Sequence, residues 1–456
     1  MNLFFDPHTV ALIGASGKPM RPGHHLFQNL RISFGERFFP VNTRTDEIEG
    51  VRCYRSVLDI ASDVDLAVIF IPARDVPRAL EECARKGIRR VIIESAGFAE
   101  AGPAGKELEG KCLAIARRAG MRLWGPNCMG AINVPKGKVM SFMNPLLWQG
   151  RFVPGTVSLV VQSGMLSAGF LAHMLTRTPF GLAKVCSIGN KVDVDEVDLL
   201  EFFLDDPDTG VIAIYTESLP KGRRFFDLAR FSPKPIVMLK GGRSALGARA
   251  ARSHTAALAQ DDRVLNAALR QAGVIRVYAM SELLDVARSL ALSPLSRRAK
   301  ARVAVLTFSG GGGVVSSDDI ADLDMELASL EPRTLNILRN VFPDWMEPAN
   351  PVDLYPAFEK HGHTETFRTT IEAVLEDQTV DAVYAHLFIP PVEIPLFDYD
   401  HMAEMVRKHR KPLVVWLLGD ATRMPAVSRS LESRGIPVTD EMARGVRILA
   451  ALAMGK

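Results

Sequence analysis

The sequence is short of several features that mark whole classes of protein. Cysteine is scarce: Cys53, Cys83, Cys112, Cys128 and Cys186 are the only five in 456 residues. No two lie within four residues of each other, so no CxxC metal or redox motif exists. A dispersed, odd set reads as reduced thiols and leads us to expect a cytoplasmic protein. No apolar run approaches the ~18 residues needed to span a bilayer, and no basic region followed by a long apolar one opens the chain, so neither a membrane span nor a signal peptide is expected. Charge of one sign is lacking too. With 55 Lys+Arg against 52 Asp+Glu the net charge is +3, which gives no ground for a nucleic-acid partner or an acidic tail. Low-complexity tracts are absent. What remains, 47% hydrophobic and 23% charged residues, is globular composition, and the length fits about three domains of roughly 150 residues.

Short apolar runs rich in Val and Ile recur, each followed by a turn rich in Gly, Ser or Asn. They fall at 10–13, 38–41, 66–71 and 91–93, then at 157–161, 183–187, 211–215 and 236–239, then at 303–308, 382–388 and 413–418. Runs without polar alternation are strands buried on both faces, as in parallel sheets covered by helices. Helical spacing over Val76–Lys86, 107–118 and 283–292 completes an alternating α/β pattern. In such folds ligands bind beyond the carboxyl ends of the strands, which picks out the loops to read. Two stretches read as linkers, 135–155 and 293–302. They divide the chain into 1–140, 150–293 and 299–456.

The first strand runs into Gly14-Ala15-Ser16-Gly17-Lys18. Glycines there let a phosphate approach the backbone at a helix start, or simply make a tight turn. The spacing is not GxGxxG, and the second strand ends in Asn42-Thr43-Arg44 rather than in the acidic residue that binds a ribose diol. A basic residue suits a phosphorylated ribose, as in NADP or coenzyme A. Later loops of this segment are Pro72-Ala73-Arg74, Ser95-Ala96-Gly97-Phe98-Ala99-Glu100 and Gly125-Pro126-Asn127-Cys128-Met129-Gly130. Cys128 in the last reads as a small buried turn residue rather than a nucleophile, because no histidine stands near it in sequence.

After the run at 236–239, roughly 20 residues pass before the next clear helical pattern, a length uncommon for a loop without function. That stretch holds Arg243, Arg249, Arg252 and His254 among small residues. Arginine forks bind phosphate oxygens, and a histidine among them can act as a nucleophile toward phosphorus. The alternative is a surface helix rich in Ala and Arg with a solvated histidine. Two strand ends in the same segment bear on the choice. Gln162-Ser163-Gly164 is a strand–Ser–Gly–helix junction whose N–H groups attract an anion. Thr216-Glu217-Ser218 places a carboxylate where it can orient an imidazole, or where it merely starts a helix. The His361-x-His363 pair has no evident third ligand, so no metal site is expected.

Taken in order, these motifs resemble one family. Gly-Ala-Ser, Pro-Val-Asn, Ser-Ala-Gly-Phe-Ala-Glu, Gly-Pro-Asn-Cys-Met-Gly-Ala-Ile-Asn, Gln-Ser-Gly, Ser-Ile-Gly-Asn-Lys-Val-Asp-Val-Asp, Tyr-Thr-Glu and Ser-His-Thr-Ala-Ala-Leu-Ala follow the order seen in the α-subunit portion of NDP-forming acyl-CoA synthetases, the ADP-forming acetate–CoA ligases, within the succinyl-CoA ligase superfamily. The resemblance covers essentially the whole chain. It implies a Rossmann-like CoA-binding domain followed by two flavodoxin-like parallel-sheet domains. It implies a ligase that joins a small carboxylic acid to CoA with ATP through an acyl phosphate and a phosphohistidine. In that reading His254 carries the phosphoryl group, Glu217 orients it, and Ser163 and Gly164 hold its phosphate. Gly14, Ser16, Gly17, Asn42, Arg44, Ser95, Ala96 and Gly97 lie along CoA, and Asn127 sits where thiol meets acyl group.

This chain departs from the family in having Thr43-Arg44 for Pro-Lys, Ala256 for the glycine after Ser-His-Thr, and Gln260-Asp261-Asp262 for Gly-Ser-Asp. All three segments are accounted for by CoA-binding and flavodoxin-like domains, so ATP/ADP with Mg2+ is expected on a separate ATP-grasp β subunit in a hetero-oligomer. The competing readings are a non-catalytic CoA-binding regulatory or scaffold protein and, with less support, an NADP oxidoreductase.

Overall fold

The computed structural model describes residues 1–176, 180–255, 261–293, 295–392 and 397–455; at 165–167, 170 and 251–255 it describes the backbone alone. The chain forms two compact units, Met1–Tyr278 and Ala279–Lys456.

The first unit holds two large sheets. The first is built from β1 (Val10–Ile13), β2 (Phe38–Val41), β5 (Leu66–Ile69), β6 (Arg90–Ile93) and β7 (Arg122–Trp124), ordered β2-β1-β5-β6-β7 and parallel throughout. A small hairpin of β3 (Glu47–Ile48) and β4 (Val51–Arg52) stands off it. Every residue of β1 and β5 is buried, which is why these runs show no polar alternation. The second sheet contains β8 (Ala131–Asn133), β9 (Lys138–Met140), β10 (Pro154–Val161), β11 (Leu182–Ser187), β12 (Val211–Thr216), β13 (Ile236–Lys240) and β14 (Ile275–Val277). Its order is β14-β13-β12-β10-β11-β8-β9, parallel from β14 to β11 and antiparallel at the β8–β9 edge. One apolar core runs through both sheets: Phe4 and Phe5 of the short first helix pack on Trp124, and the Trp124 indole N–H donates to the Ser187 carbonyl at 2.7 Å.

The second unit is built on β15 (Arg302–Thr307), β16 (Glu326–Leu327), β18 (Ala382–Ile389), β19 (Leu413–Gly419) and β20 (Val438–Thr439), ordered β16-β15-β18-β19-β20, with short β17 (Val352–Asp353) also beside β15. Counting only the parallel strands of each main path, all three sheets follow one order, 2-1-3-4-5, that of doubly wound α/β folds. Their switch points, where ligands bind, fall at β1/β5, β10/β12 and β15/β18.

Three boundaries differ from the sequence reading. The stretch 135–155 is not a linker: Lys138–Met140 pairs with Ala131–Asn133, and that pair adds to the edge of the second sheet through β11. The helix Met280–Leu292, placed by the sequence division with the middle segment, belongs to the second compact unit. There its Leu283, Val286, Ala287 and Leu290 are buried and it packs on the helix Met442–Met454. The arginine-rich stretch before His254 is not an irregular loop but the helix Ala245–Thr255, in keeping with its alanine content.

Candidate functional site

The loops at the carboxyl ends of the first sheet converge because their backbones are bonded to one another. Gly14 has φ +99°, and a Cβ there would lie 2.2 Å from the Phe70 carbonyl oxygen, so only glycine lets the loop after β1 cross the end of β5. The Gly14 and Ala15 N–H groups donate to the Val41 carbonyl. Asn42 closes the same corner: its Nδ2 donates to the Ala15 carbonyl at 2.8 Å, and its Oδ1 accepts the N–H groups of Arg44 and Thr45. Ser95 accepts the Ile71 N–H on its hydroxyl and the Asn127 N–H on its carbonyl. The loops of Gly14, Asn42, Ser95 and Asn127 are therefore joined at one end of the sheet, and Gly97 follows in the Ser95 loop. Ser16 faces its own loop, accepting the Lys18 N–H, and a Cβ on Gly17 would lie 3.3 Å from Ile48 Cγ2 of the β3–β4 hairpin. Arg44 and Ala96 stand exposed at the rim.

Cys128 is buried, with its thiol directed at the Ile93 carbonyl. Burial, and then the neighbouring Glu94 carboxyl, push that thiol well above its ordinary range, so it is not a thiolate nucleophile.

The second crevice opens between β10 and β12. Gln162 follows β10, and Ser163 precedes the helix Gly164–Thr176. The Gln162 Oε1 accepts the Glu217 backbone N–H at 2.7 Å and the Thr216 hydroxyl at 3.0 Å. The acid after β12 is thus tied to the loop that starts the helix. The Tyr215 hydroxyl donates to the Glu217 carboxylate at 3.2 Å, and Lys240, at the end of β13, donates to the Glu217 carbonyl at 2.8 Å. Burial pushes the Tyr215 phenol up, and the Glu217 charge beside it pushes the same way, so Tyr215 stays a donor. Lys191 lies beneath this corner and donates to Glu196, Thr216 and the Ser218 carbonyl. Glu217 itself is buried, 8% exposed.

His254 lies in the last turn of Ala245–Thr255, and that helix packs against the Ala99–Ala101 turn of the first sheet's loops. The His254 side chain lies outside the described residues. Arg243 stacks on Tyr278 at 5.6 Å.

Comparison with known proteins decides the family. Residues 154–290 match the family described as succinyl-CoA ligase like flavodoxin domain, and residues 8–133 that described as CoA binding domain. The ADP-forming acetate–CoA ligase I subunit alpha of Pyrococcus furiosus is 37% identical over an alignment of 467 residues covering 99% of this chain and 97% of that one. The chain belongs to this family of ligase α subunits. An ADP-forming acetate–CoA ligase II of Archaeoglobus fulgidus is 36% identical over 448 residues, 98% of this chain but 65% of that one, so the chain spans just under two thirds of that relative's length. Among solved structures, acetyl-coenzyme A synthetase 1 of Ca. Korarchaeum cryptofilum, in complex with phosphate and ADP, superposes with a TM-score of 0.86 at 29% identity, covering 100% of this chain and 96% of that one. These relatives are ADP-forming acid–thiol ligases, and this chain carries the CoA-binding and flavodoxin-like domains of that family.

Sequence reasoning missed the residues that hold these groups in place. Gln162 and Tyr215 stood inside recognised motifs without a role. Glu100, Asn190 and Lys191 were also in motifs, and their position at strand ends was the available signal. No helix among the described residues is long and apolar enough to cross a membrane. Among the same residues no group of three or more His, Cys, Asp or Glu is placed to hold a metal ion.

Proposed function

We propose that this chain is the α subunit of an enzyme that converts a small carboxylic acid, CoA and ATP to acyl-CoA, ADP and phosphate, reversibly. One observation carries the reading: in a chain of this family, the backbone N–H of Glu217, the acid that follows β12, is tied to Gln162 just before the helix Gly164–Thr176, at the switch point of the second sheet. That is the arrangement a phosphorylated imidazole needs, with an acid to orient the ring and helix N–H groups for the phosphate.

In this reading one imidazole nitrogen of His254 takes the phosphoryl group from ATP, releasing ADP. The Glu217 carboxylate accepts the N–H of the other nitrogen, which fixes the tautomer. A carboxylate oxygen of the acid then attacks phosphorus, breaking the P–N bond and giving an acyl phosphate. The CoA sulfur then attacks the acyl carbon, the C–O bond to phosphate breaks, and the thiol proton leaves with the phosphate. Ser163 and Gly164 hold the phosphate. Gly14, Ser16, Gly17, Asn42, Ser95, Ala96 and Gly97 line the CoA path with Arg44 at its rim, and Asn127 meets the thiol. The nucleotide and its Mg2+ are bound by an ATP-grasp β subunit, so the working enzyme is a hetero-oligomer in the cytoplasm.

The test is co-purification of the chain with its partner and incubation with γ-labelled ATP. Label is expected on His254 in the wild type and not in His254→Ala. Equal labelling of the two overturns the assignment, and CoA binding without any phosphate incorporation supports a scaffold instead.

A further inference from the structure

The Ser187–Asp195 stretch, S-I-G-N-K-V-D-V-D, starts at the last residue of β11 and has no role in the chemistry above. The structure presses it onto the loop that carries Asn127. Gly189 has φ +55°, and a Cβ there would lie 2.2 Å from the Pro126 carbonyl oxygen. The backbone N–H of Asn190 donates to the same carbonyl at 2.9 Å, and that of Val192 to the Gly125 carbonyl at 3.0 Å. The two loops are joined along their main chains before any side chain is considered.

The side chain of Asn190 then makes a bridge. Its Nδ2 donates to Glu100 Oε2 at 2.6 Å and to Glu109 Oε2 at 2.9 Å. An amide nitrogen has two hydrogens, and two carboxylates accept here, so the nitrogen end must face the acids. The oxygen end faces Asn127 and accepts its Nδ2–H at 3.3 Å. Two acids thus decide which way the Asn190 amide points, and Asn190 decides which way the Asn127 amide points. Glu100 extends the chain of contacts into the Ser95–Gly97 loop, because its Oε1 accepts the N–H groups of Gly97 at 2.6 Å and Phe98 at 3.1 Å. It also sits in the turn on which the helix of His254 packs. Burial alone would raise the Glu100 carboxyl, but the Asn190 amide and the Gly97 and Phe98 N–H groups outweigh it and hold it below the usual range. Glu109, more buried, is pushed up. Glu100 is accordingly the firmer anion of the pair.

We propose that Asn190 is a positioning residue for the CoA-dependent step: clamped by Glu100 and Glu109, it sets the orientation of the Asn127 amide at the point where thiol and acyl group meet. The inference rests on the place given to Asn127 in the proposed function, and goes beyond it by naming what aims that residue.

The geometry offers a reciprocal test. Asn190→Asp turns the donor that faces two carboxylates into a third acid. In the double variant Glu100→Gln with Asn190→Asp, the introduced glutamine keeps Oε1 on the Gly97 and Phe98 N–H groups and presents its amide nitrogen to the introduced aspartate, so the shorter of the two bonds is remade with donor and acceptor exchanged while the contact with Glu109 is not, and recovery is partial. The complex of the full chain with its partner is assayed with acetyl phosphate and CoA. N190D is expected to lower kcat for acetyl-CoA formation by about 10²-fold, the scale of an angstrom of misplacement, with KM for CoA changed less than about threefold. The comparator, CoA-independent labelling of the chain by acetyl phosphate, is expected to fall at least tenfold less, and the double variant to recover tenfold or more over N190D. The proposal is overturned by wild-type kcat in N190D, by equal loss in the two assays, or by a double variant no better than N190D. If N190D does not fold, Asn190→Ala, judged by the same split between kcat and KM, replaces it. Asn127→Ala separates the two levels. If it transfers at the wild-type rate, the place given to Asn127 is wrong and the inference falls with it. If it is impaired while N190D is normal, only the inference falls.

Discussion

The second and third sheets share a strand order, and each puts a helix start and a strand end side by side at its switch point, but the two crevices are filled differently. At β10/β12 the helix start is preceded by Gln162 and Ser163, and the facing strand is followed by Glu217, whose carboxylate accepts from Tyr215 and whose backbone is held by Gln162 and Lys240. At β15/β18 the helix Gly310–Asp322 starts with four glycines. Under it lies a histidine, His386, 2% exposed, between the hydroxyls of Thr307 at 3.1 Å and Ser316 at 3.0 Å. Burial pulls that imidazole down to about 4, so it is neutral. Phe308 stacks on Trp416 and packs against Phe388 beside it. The architecture supplies a place for a ligand in both sheets, and the residues at the strand ends decide what can happen there. One crevice sets a carboxylate beside a phenol donor, the other keeps its imidazole uncharged inside.

The sharpest break of this comparison is His254→Ala. Phosphate incorporation into the chain is expected to fall by about 10⁴-fold or more, as on loss of a nucleophile, with CoA binding retained in calorimetry. Glu217→Gln comes next, slowing phosphoryl transfer by ~10²–10⁴-fold. Unchanged transfer would show that the carboxylate of the second crevice takes no part in the phosphoryl step.

Acid should act on the third crevice through His386. Its folded pKa of about 4 lies below the ordinary histidine value of 6.5, so the stabilisation is fully present above pH 6.5 and is lost as pH falls from there toward 4. The loss is about 3 kcal/mol by linkage. Denaturant unfolding followed at Trp416 is expected to show that slope, and His386→Gln to be less stable at pH 7 but flatter below it. An equal slope in the variant would mean that another group titrates. Tyr215→Phe is the mildest test. It removes one hydrogen bond to a carboxylate, about 1.5 kcal/mol, and should slow phosphoryl transfer by roughly tenfold with only a small fall in the unfolding midpoint. A large shift of the midpoint with normal transfer would make Tyr215 a packing residue only.

Most of the architecture was legible from local pattern. The run at 10–13 is β1, and that at 211–215 is β12 extended by Thr216, because a strand buried on both faces must be apolar at every position and so announces itself without neighbours. Ser163, Glu217 and Asn127 were legible as positions, since the carboxyl ends of parallel strands are where such folds put their ligands. The helix over Ala245–Thr255 was stated only as an alternative to a loop, because its alanines and arginines carry helix propensity but no clear apolar face. The pair at Ala131–Asn133 and Lys138–Met140 was missed. Its strands are short, and the pairing that makes them an edge of the second sheet is with β11, some fifty residues further on.

The amino-acid order by itself determined the repeated strand–turn units, the glycine that lets one loop cross another, and the residue types waiting at each strand end. These follow from steric and hydrophobic constraints that act within a few residues of chain. Only the tertiary structure decided which of those residues meet. Asn190 stands 81 and 90 residues from the two acids that orient it and 63 from the amide it orients. Hydrogen-bond partners so far apart in the chain are chosen by how the sheets pack, since a buried polar group must satisfy itself with whatever the fold brings within about 3 Å.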